Sequence, residues 1–477
     1  MDFSLSPSLS PADGGEGARV DHGALPTWRS ADLPEPLPFS FRNLLRTIGP
    51  GAILLAGSIG GGEWIVGPLM AVKYGPAILW IATLGIVLQT LFNLEAVRYT
   101  LYTGEPILTG VLRLWPGPRF WAPFYIVAGT LQLATPALAA GCAVVLFAAF
   151  SGRMPDEAGG DTRSLEWIGI NVILLATALL LSGKSIERLL EKLSWGMILL
   201  IFAFLTAVNV LFVPPSTWIA TLAGFVVPRA LPDEVNWLLL GTFIAMAGSG
   251  GLGNLAISNW FRDKGFAMGA HVGGIGGALV EQHEEVHSVG VTFPITDDNL
   301  SRWRQWWRYA RIDQQWLWGI GCFVGMFLNV NLALALVPKK VQVGGFAAGA
   351  FQAEQMARQI WSGFWWLALI NGFWILFSTH LGNTDVLVRT TADVLWAASP
   401  RIRRRPISRV YAVLLLVLTA WALNAIHLGG VIALFQVLGI VASPILALAA
   451  VQILRVNTRF LPVELQPAWW RRLGLLV

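Results

Sequence analysis

A carboxylate and an amide close matching glycine runs in two apolar stretches of this 477-residue chain. Ala56-Gly57-Ser58-Ile59-Gly60-Gly61-Gly62 leads to Glu63, and Ala247-Gly248-Ser249-Gly250-Gly251-Leu252-Gly253 leads to Asn254. In register, Ala, Gly, Ser, Gly and Gly coincide. Glycine clusters loosen a helix, because glycine loses the most backbone entropy on ordering. In hydrocarbon, an unwound backbone survives only where it is buried or lines a cavity. A charge at mid-span costs about 2.5–3.5 kcal/mol on insertion scales, so Glu63 should face a cavity or a partner. Its carboxylate, the Asn254 amide oxygen and freed backbone carbonyls together suit a hard divalent cation such as Mg²⁺, Mn²⁺ or Ca²⁺. The other readings are a half-helix N-terminus holding a substrate carboxylate, or purely structural roles. In the latter, Glu63 is protonated or bonded to backbone, and the glycines are helix-packing faces.

Three further groups carry possible chemistry. Gln436 stands in Phe435-Gln436-Val437-Leu438-Gly439, ahead of a Ser443-Pro444 kink, as a ligand or as interhelical glue. Ser378-Thr379-His380-Leu381-Gly382-Asn383-Thr384-Asp385 is a dense polar run within an apolar segment and implies a wet face. Asp385 is a secondary ion or proton site there, or the partner of Arg389 one turn on, and the ion pair is the preferred reading. His283-Glu284-Glu285-Val286-His287 spells H-E-x-x-H, which on a helix brings His283 and His287 together on Zn²⁺ with Glu284 as base. The segment is short and strongly polar and shows no third ligand. A solvated loop is therefore expected, then a cytoplasmic metal-sensing cluster, ahead of a membrane zinc protease, and the chain is not read as an enzyme.

The elements that must position these residues are membrane helices. The chain is 55% hydrophobic and only 13% charged, with 23 Trp suited to interfacial anchoring. Apolar segments of spanning length occur near 46–70, 76–101, 119–149, 165–182, 192–213, 236–258, 315–337, 362–396, 408–426 and 429–454. With the N-terminus inside, alternation puts the large majority of the 33 Lys and Arg on the cytoplasmic side. That pattern supports ten spans with both termini cytoplasmic, in a plasma membrane of bacterial type. The net charge of +5 is topology rather than nucleic-acid binding. Five spans precede the sixth, so the second half is inverted relative to the first. The glycine run recurs in the first span of each half, which is the form of a five-plus-five inverted repeat. The organisation expected is a disordered tail at 1–43, repeats at 44–213 and 236–454, and a tail at 455–477. The second repeat carries a cytoplasmic insert at 259–313. In that insert, Trp303, Trp306 and Trp307 alternate with Arg302, Arg304 and Arg308, which reads as an amphipathic helix on the inner membrane face. Cys142 and Cys322 lie in apolar runs and are expected as free thiols. No cleaved signal peptide is visible.

Several motifs resemble one transporter family. Ile48-Gly49-Pro50-Gly51 opens the first span, followed by Ile59-Gly60-Gly61-Gly62-Glu63-Trp64, Lys73-Tyr74-Gly75, Leu79-Trp80 and Thr103-Gly104-Glu105. Together these resemble the opening of the Nramp family of divalent metal-ion transporters. Gly248 to Asn254, Glu191-Lys192-Leu193 and Gln436 fall where that family's pattern puts them. The resemblance spans about residues 44–455 and is strongest in the first two spans. It implies an all-α LeuT-like fold with broken first and sixth helices, and a divalent cation as cargo rather than a cofactor. The only partners implied are that cation and the bilayer. No nucleic acid and no obligate protein partner are expected.

The ligand set departs from the family. The typical first break is Asp-Pro-Gly-Asn, whereas here Gly60 stands at the Asp position and Glu63 at the Asn position. The typical sixth-span Met-Pro-His-Asn is replaced by Gly251, Leu252 and Gly253, with only Asn254 kept. The resemblance then implies an all-oxygen site of Glu63, Asn254, Gln436 and the Gly57 and Gly248 carbonyls, without the family's soft thioether and with its proton coupling in question. A LeuT-like carrier of amino acids or other small organic solutes is the alternative.

Overall fold

The computed structural model describes residues 23–156, 160–182, 186–232, 234–275, 287, 289–337, 347–359, 361–428 and 439–476. Proline sets several helix starts. Pro50, Pro76 and Pro118 each begin a span, at the first turn, where a missing N–H costs nothing. Among the described residues, nine helices are long and apolar enough to cross a membrane. They are Pro50–Tyr74, Pro76–Thr103, Pro118–Ser151, Thr162–Ser182, Ile186–Phe212, Asp297–Leu336, Phe364–Ala398, Ile407–Ala425 and Gly439–Phe460. The sixth of the ten expected spans is split into Trp237–Met246 and Leu252–Asp263. All ten therefore appear in order, and the broken one is too short in either half to count as a crossing by itself.

The two glycine runs behave differently. In span six the chain leaves helix between Met246 and Leu252, with Gly250 at φ +65° and Gly251 at φ +50°. Both lie in the left-handed region that disfavours a side chain. In span one the expected unwinding does not occur. Pro50–Ser58 passes into a π-helical stretch, Ile59–Val66, and on into Gly67–Tyr74 without leaving helix. A π turn bonds each N–H five residues back, which relaxes the coil while keeping most carbonyls engaged. Gly67 N–H, for example, donates to Gly62 O. Only one of the two helices is broken.

The insert and the tails also differ from expectation. Residues 259–263 complete span six, and Asp297–Arg311 continues through a second π segment, Ile312–Gly319, straight into span seven. The Trp-rich helix is thus the foot of a span. Its apolar face is covered by the chain's own N-terminal segment: Trp306 Nε1 donates to Pro34 O (2.8 Å), Arg302 Nη1 to Leu33 O (2.7 Å) and Tyr309 Oη to Leu37 O (3.1 Å). Residues 23–43, assigned above to a disordered tail, form this strap. Arg29–Ser30 pairs in parallel with Val291–Thr292, and Phe41–Thr47 is a helix capped by Ser40. At the other terminus Trp469–Gly474 packs back, with Arg471 Nη1 on Glu95 Oε1 at 2.8 Å. Both ends of the described chain therefore cover the same end of the bundle.

Candidate functional site

The two glycine runs meet. Ser58 Oγ and Ser249 Oγ, equivalent positions in the repeat, lie 2.6 Å apart. Around them is a cavity of about 30 Å³, walled by Gly57, Gly61 and Gly62 of span one and Gly248 and Gly250 of span six. Met246, Gln132, Thr379 and Asn383 close it. Gly248 has no room for a side chain. A Cβ on Gly248 would stand 2.5 Å from Gln89 Oε1 and 2.8 Å from the Trp318 ring.

Side chains from neighbouring spans hold the backbone of the runs. Gln132 Nε2 donates to Gly250 O (3.0 Å), and its Oε1 accepts from Leu252 N–H (3.0 Å). Gln89 Nε2 donates to Ile244 O and Ala245 O, both at 2.9 Å. Thr379 Oγ1 accepts from Gly60 N–H (2.9 Å), and Ser378 Oγ donates to Ala56 O (2.9 Å). The polar run of span eight is thus a clamp on span one. Gln89 and Gln132 were not singled out above. Their signal was present, since a lone amide in an apolar span needs a partner.

The candidate residues separate into groups. Gly57 and Gly248 line the cavity. Gly60 sits against Thr379 and Gly251 against Gln132, beside the cavity rather than in it. Glu63 and Asn254 are fully buried but turn away from it. Glu63 faces span seven, its Cγ 3.7 Å from where a Cβ on Gly325 would stand, and neither carboxyl oxygen has a hydrogen-bond partner among the described residues. Asn254 faces span two, donating from Nδ2 to Asn93 Oδ1 (2.9 Å). The pair is symmetric: span one leans on the second helix of the other repeat, and span six does the same. Glu63 and Asn254 are not brought onto one point. Gln436, His283 and Glu284 lie outside the described residues, and His287 donates its backbone N–H to Val272 O at 2.8 Å. Among the described residues there is no cluster of three or more His, Cys, Asp or Glu suited to a metal.

Asp385 is a structural ion-pair partner. It accepts from Arg389 Nε (2.8 Å), Tyr411 Oη (2.7 Å) and Trp260 Nε1 (2.9 Å). Arg389 continues to Asp263, and Arg262 spans Asp263 and Asp393. Nearby, the Asp313 carboxylate caps the start of span one, accepting from Gly49 N–H (2.8 Å) and Gly51 N–H (2.7 Å). Lys264 Nζ joins Glu191 (2.5 Å) to Ile48 O (3.0 Å). These ties draw spans one, five, six, seven, eight and nine together at the end that carries the strap. A further hub there is Glu105, which receives Arg113 at both oxygens together with Tyr99 Oη and Gly290 N–H. Burial alone would raise the Glu105 carboxyl; the Arg113 guanidinium and the hydrogen bonds outweigh it and hold it below the usual carboxylate range.

No family model matches the chain. Over 173 residues it is 28% identical to an uncharacterised protein of Pasteurella multocida, a stretch that is 35% of this chain and 36% of that relative. The match therefore spans little more than a third of the relative's length. Solved structures of variants of the Eremococcus coleocola manganese transporter superpose with TM-score 0.64 at 15% identity, covering 93% of this chain and 88% of theirs. The same transporter, in complex with an aromatic bis-isothiourea substituted compound, superposes with TM-score 0.62 at 16% identity. The chain has the fold of these transporters: an all-α integral membrane protein of LeuT-like inverted-repeat architecture.

Proposed function

We propose that this chain is a secondary carrier that moves a divalent metal cation across a membrane by alternating access. The observation that carries the reading is the Glu63 carboxyl. It is completely buried, has no hydrogen-bond partner among the described residues, and stands on the helix that walls the central cavity. A buried unpaired carboxylate is strongly unfavourable, so the site calls for a proton or a cation. The solved neighbours are manganese transporters by description and share this fold over nearly the whole chain. The cavity of about 30 Å³ has room for a bare ion or a water. Around the cavity the groups are hydroxyl, amide and carbonyl oxygens, with the Met246 thioether the one soft atom. The charge distribution supports a cytoplasmic side for both termini.

In this reading, the ion enters beside Ser58 and Ser249, and rocking of spans one and six against the scaffold exposes it to each side in turn. Glu63 supplies the negative charge. The experiment is uptake of Mn²⁺, Mg²⁺ and Ca²⁺ into proteoliposomes. Wild type should accumulate at least one ion, and Glu63→Gln should cut that uptake at least about tenfold, since it removes the site's charge. Equal uptake by the two proteins would refute the role given to Glu63.

A further inference from the structure

We infer that the arginine turn between spans eight and nine is a binding site for an anionic phospholipid. Span eight ends at Ala398, Pro400–Arg403 is a short helix, and span nine begins at Ile407. Five of the nine residues from Arg401 to Arg409 are arginine. Arg403 turns inward, donating to Trp396 O at 3.3 Å and to Ala397 O in the last turn of span eight. Trp396 Nε1 donates to Arg405 O at 3.1 Å, so the turn is held in shape from both sides. The other four, Arg401, Arg404, Arg405 and Arg409, are exposed. The chain has no Asp or Glu between Asp393 and Glu464. Asp393 is committed to Arg262 and Asn259, and Asp385 to Arg389. Among the described residues no carboxylate pairs with the four exposed guanidinium groups.

The place of the turn says what neutralises it. Span nine has 19 residues, about 28 Å at the rise of a helix, which is close to the thickness of the hydrocarbon layer. Its two faces are sharply divided. Ser408, Tyr411, Leu415 and Thr419 are buried against the bundle, while Val413, Leu416 and Val417 are each more than half exposed. Arg409 stands one turn before Val413 on that exposed face. The cluster therefore lies at the foot of a stripe that acyl chains cover, at the depth of the headgroups. A lipid of net negative charge meets both parts. Its chains run along the stripe, and its phosphate oxygens accept from guanidinium groups two bonds at a time. A zwitterionic lipid brings the same chains with an ammonium that opposes the cluster, and a soluble phosphate brings the charge without the chains.

The test is native mass spectrometry of the full-length protein in detergent, titrated with phosphatidylglycerol or with phosphatidylcholine of identical chains. It reads lipid binding alone and is independent of any transport. Wild type should hold phosphatidylglycerol at least about tenfold more tightly, and should keep it when glycerol 3-phosphate is added in excess. Arg401→Gln, Arg404→Gln, Arg405→Gln and Arg409→Gln combined should abolish the difference. The same four changed to Lys should keep an intermediate preference, since the charge stays and the paired donors go. Arg42→Gln with Arg46→Gln removes exposed charge outside the turn, at the same end of the bundle, and should leave the preference intact. The melting midpoint without added lipid shows whether the fourfold Gln variant folds. If it does not, the pairs Arg401→Gln/Arg404→Gln and Arg405→Gln/Arg409→Gln, each expected to lose part of the preference, carry the test. Equal affinity of wild type for the two lipids, a preference unchanged in folded Gln variants, or one lost equally in the Arg42 and Arg46 variant overturns the site. Displacement by glycerol 3-phosphate also overturns it, as a site for soluble phosphate rather than lipid.

Discussion

Glu63 shows how much a residue's type reveals and where that stops. Its burial and its need for a partner follow from a carboxylate in an apolar segment. Its direction depends on whether the backbone unwinds. Because span one stays helical, Gly57, Ser58, Gly61 and Gly62 share the cavity face, while Glu63 falls on the next face with Ile59, four residues earlier. The sequence contains the glycines but not the hydrogen bonds from Thr379 and Ser378 that keep the coil closed. The amides of spans two and three make the residue-scale prediction. Gln132→Leu would strip partners from Gly250 O and Leu252 N–H, at about 1–3 kcal/mol for each buried group left unpaired. Thermal denaturation in detergent should show a markedly lower midpoint, and transport should fall with it. An unchanged midpoint would mean that water takes over both bonds.

At the level of elements, ten apolar segments were legible in order, most within a few residues, since spanning length and apolar composition are both demanded by hydrocarbon; the seventh helix starts at Asp297, well before the expected 315, and residues 429–438 of the tenth lie outside the described residues. Span six was legible as broken because two successive left-handed residues need glycine. Span one carries a matching run for a different reason, and that reason is packing. A Cβ on Gly62 would run into the Met246 carbonyl, and one on Gly60 into Thr379. The glycines let a relaxed helix approach its neighbours closely, a demand that composition alone does not separate from unwinding. Gly62→Ala should therefore destabilise the fold by roughly 1–3 kcal/mol, the usual cost of overpacking, visible as a lower melting midpoint. Gly57→Ala meets open space and should leave the midpoint near wild type. The Trp and Arg pattern at 302–308 was legible as an amphipathic helix, but the covering surface was not, because the strap that covers it lies more than 260 residues away in sequence.

For the whole molecule, the charge alternation and the odd number of spans that precede the sixth were sufficient to infer inversion. The closure of one end by buried ion pairs was not, because it joins residues from six spans. The Glu105–Arg113 hub links the end of span two to the strap and to the strand at Val291–Thr292. Since the folded-state carboxyl lies below its unfolded value, this contribution is fully present above the unfolded value of about 4.3 and is lost as pH falls through the lowered folded value. Melting midpoints from pH 8 down to about 5 should thus be flat in this contribution, with the loss confined to stronger acid. Glu105→Gln should lose roughly 3–5 kcal/mol at neutral pH, because it leaves the buried Arg113 without its counter-ion. A midpoint unmoved by that change would show that the hub is dispensable.

The contact between Ser58 and Ser249 has a geometric meaning of its own. These are the same position in two related halves, and a point that touches its own image lies on the axis relating them. The local two-fold of this molecule therefore passes between two hydroxyl groups 2.6 Å apart. Exchanging the conformations of the halves, which turns an outward-facing carrier into an inward-facing one, leaves that axis in place. In the proposed carrier cycle the two serines stand on that axis, the one place that such an exchange leaves unmoved.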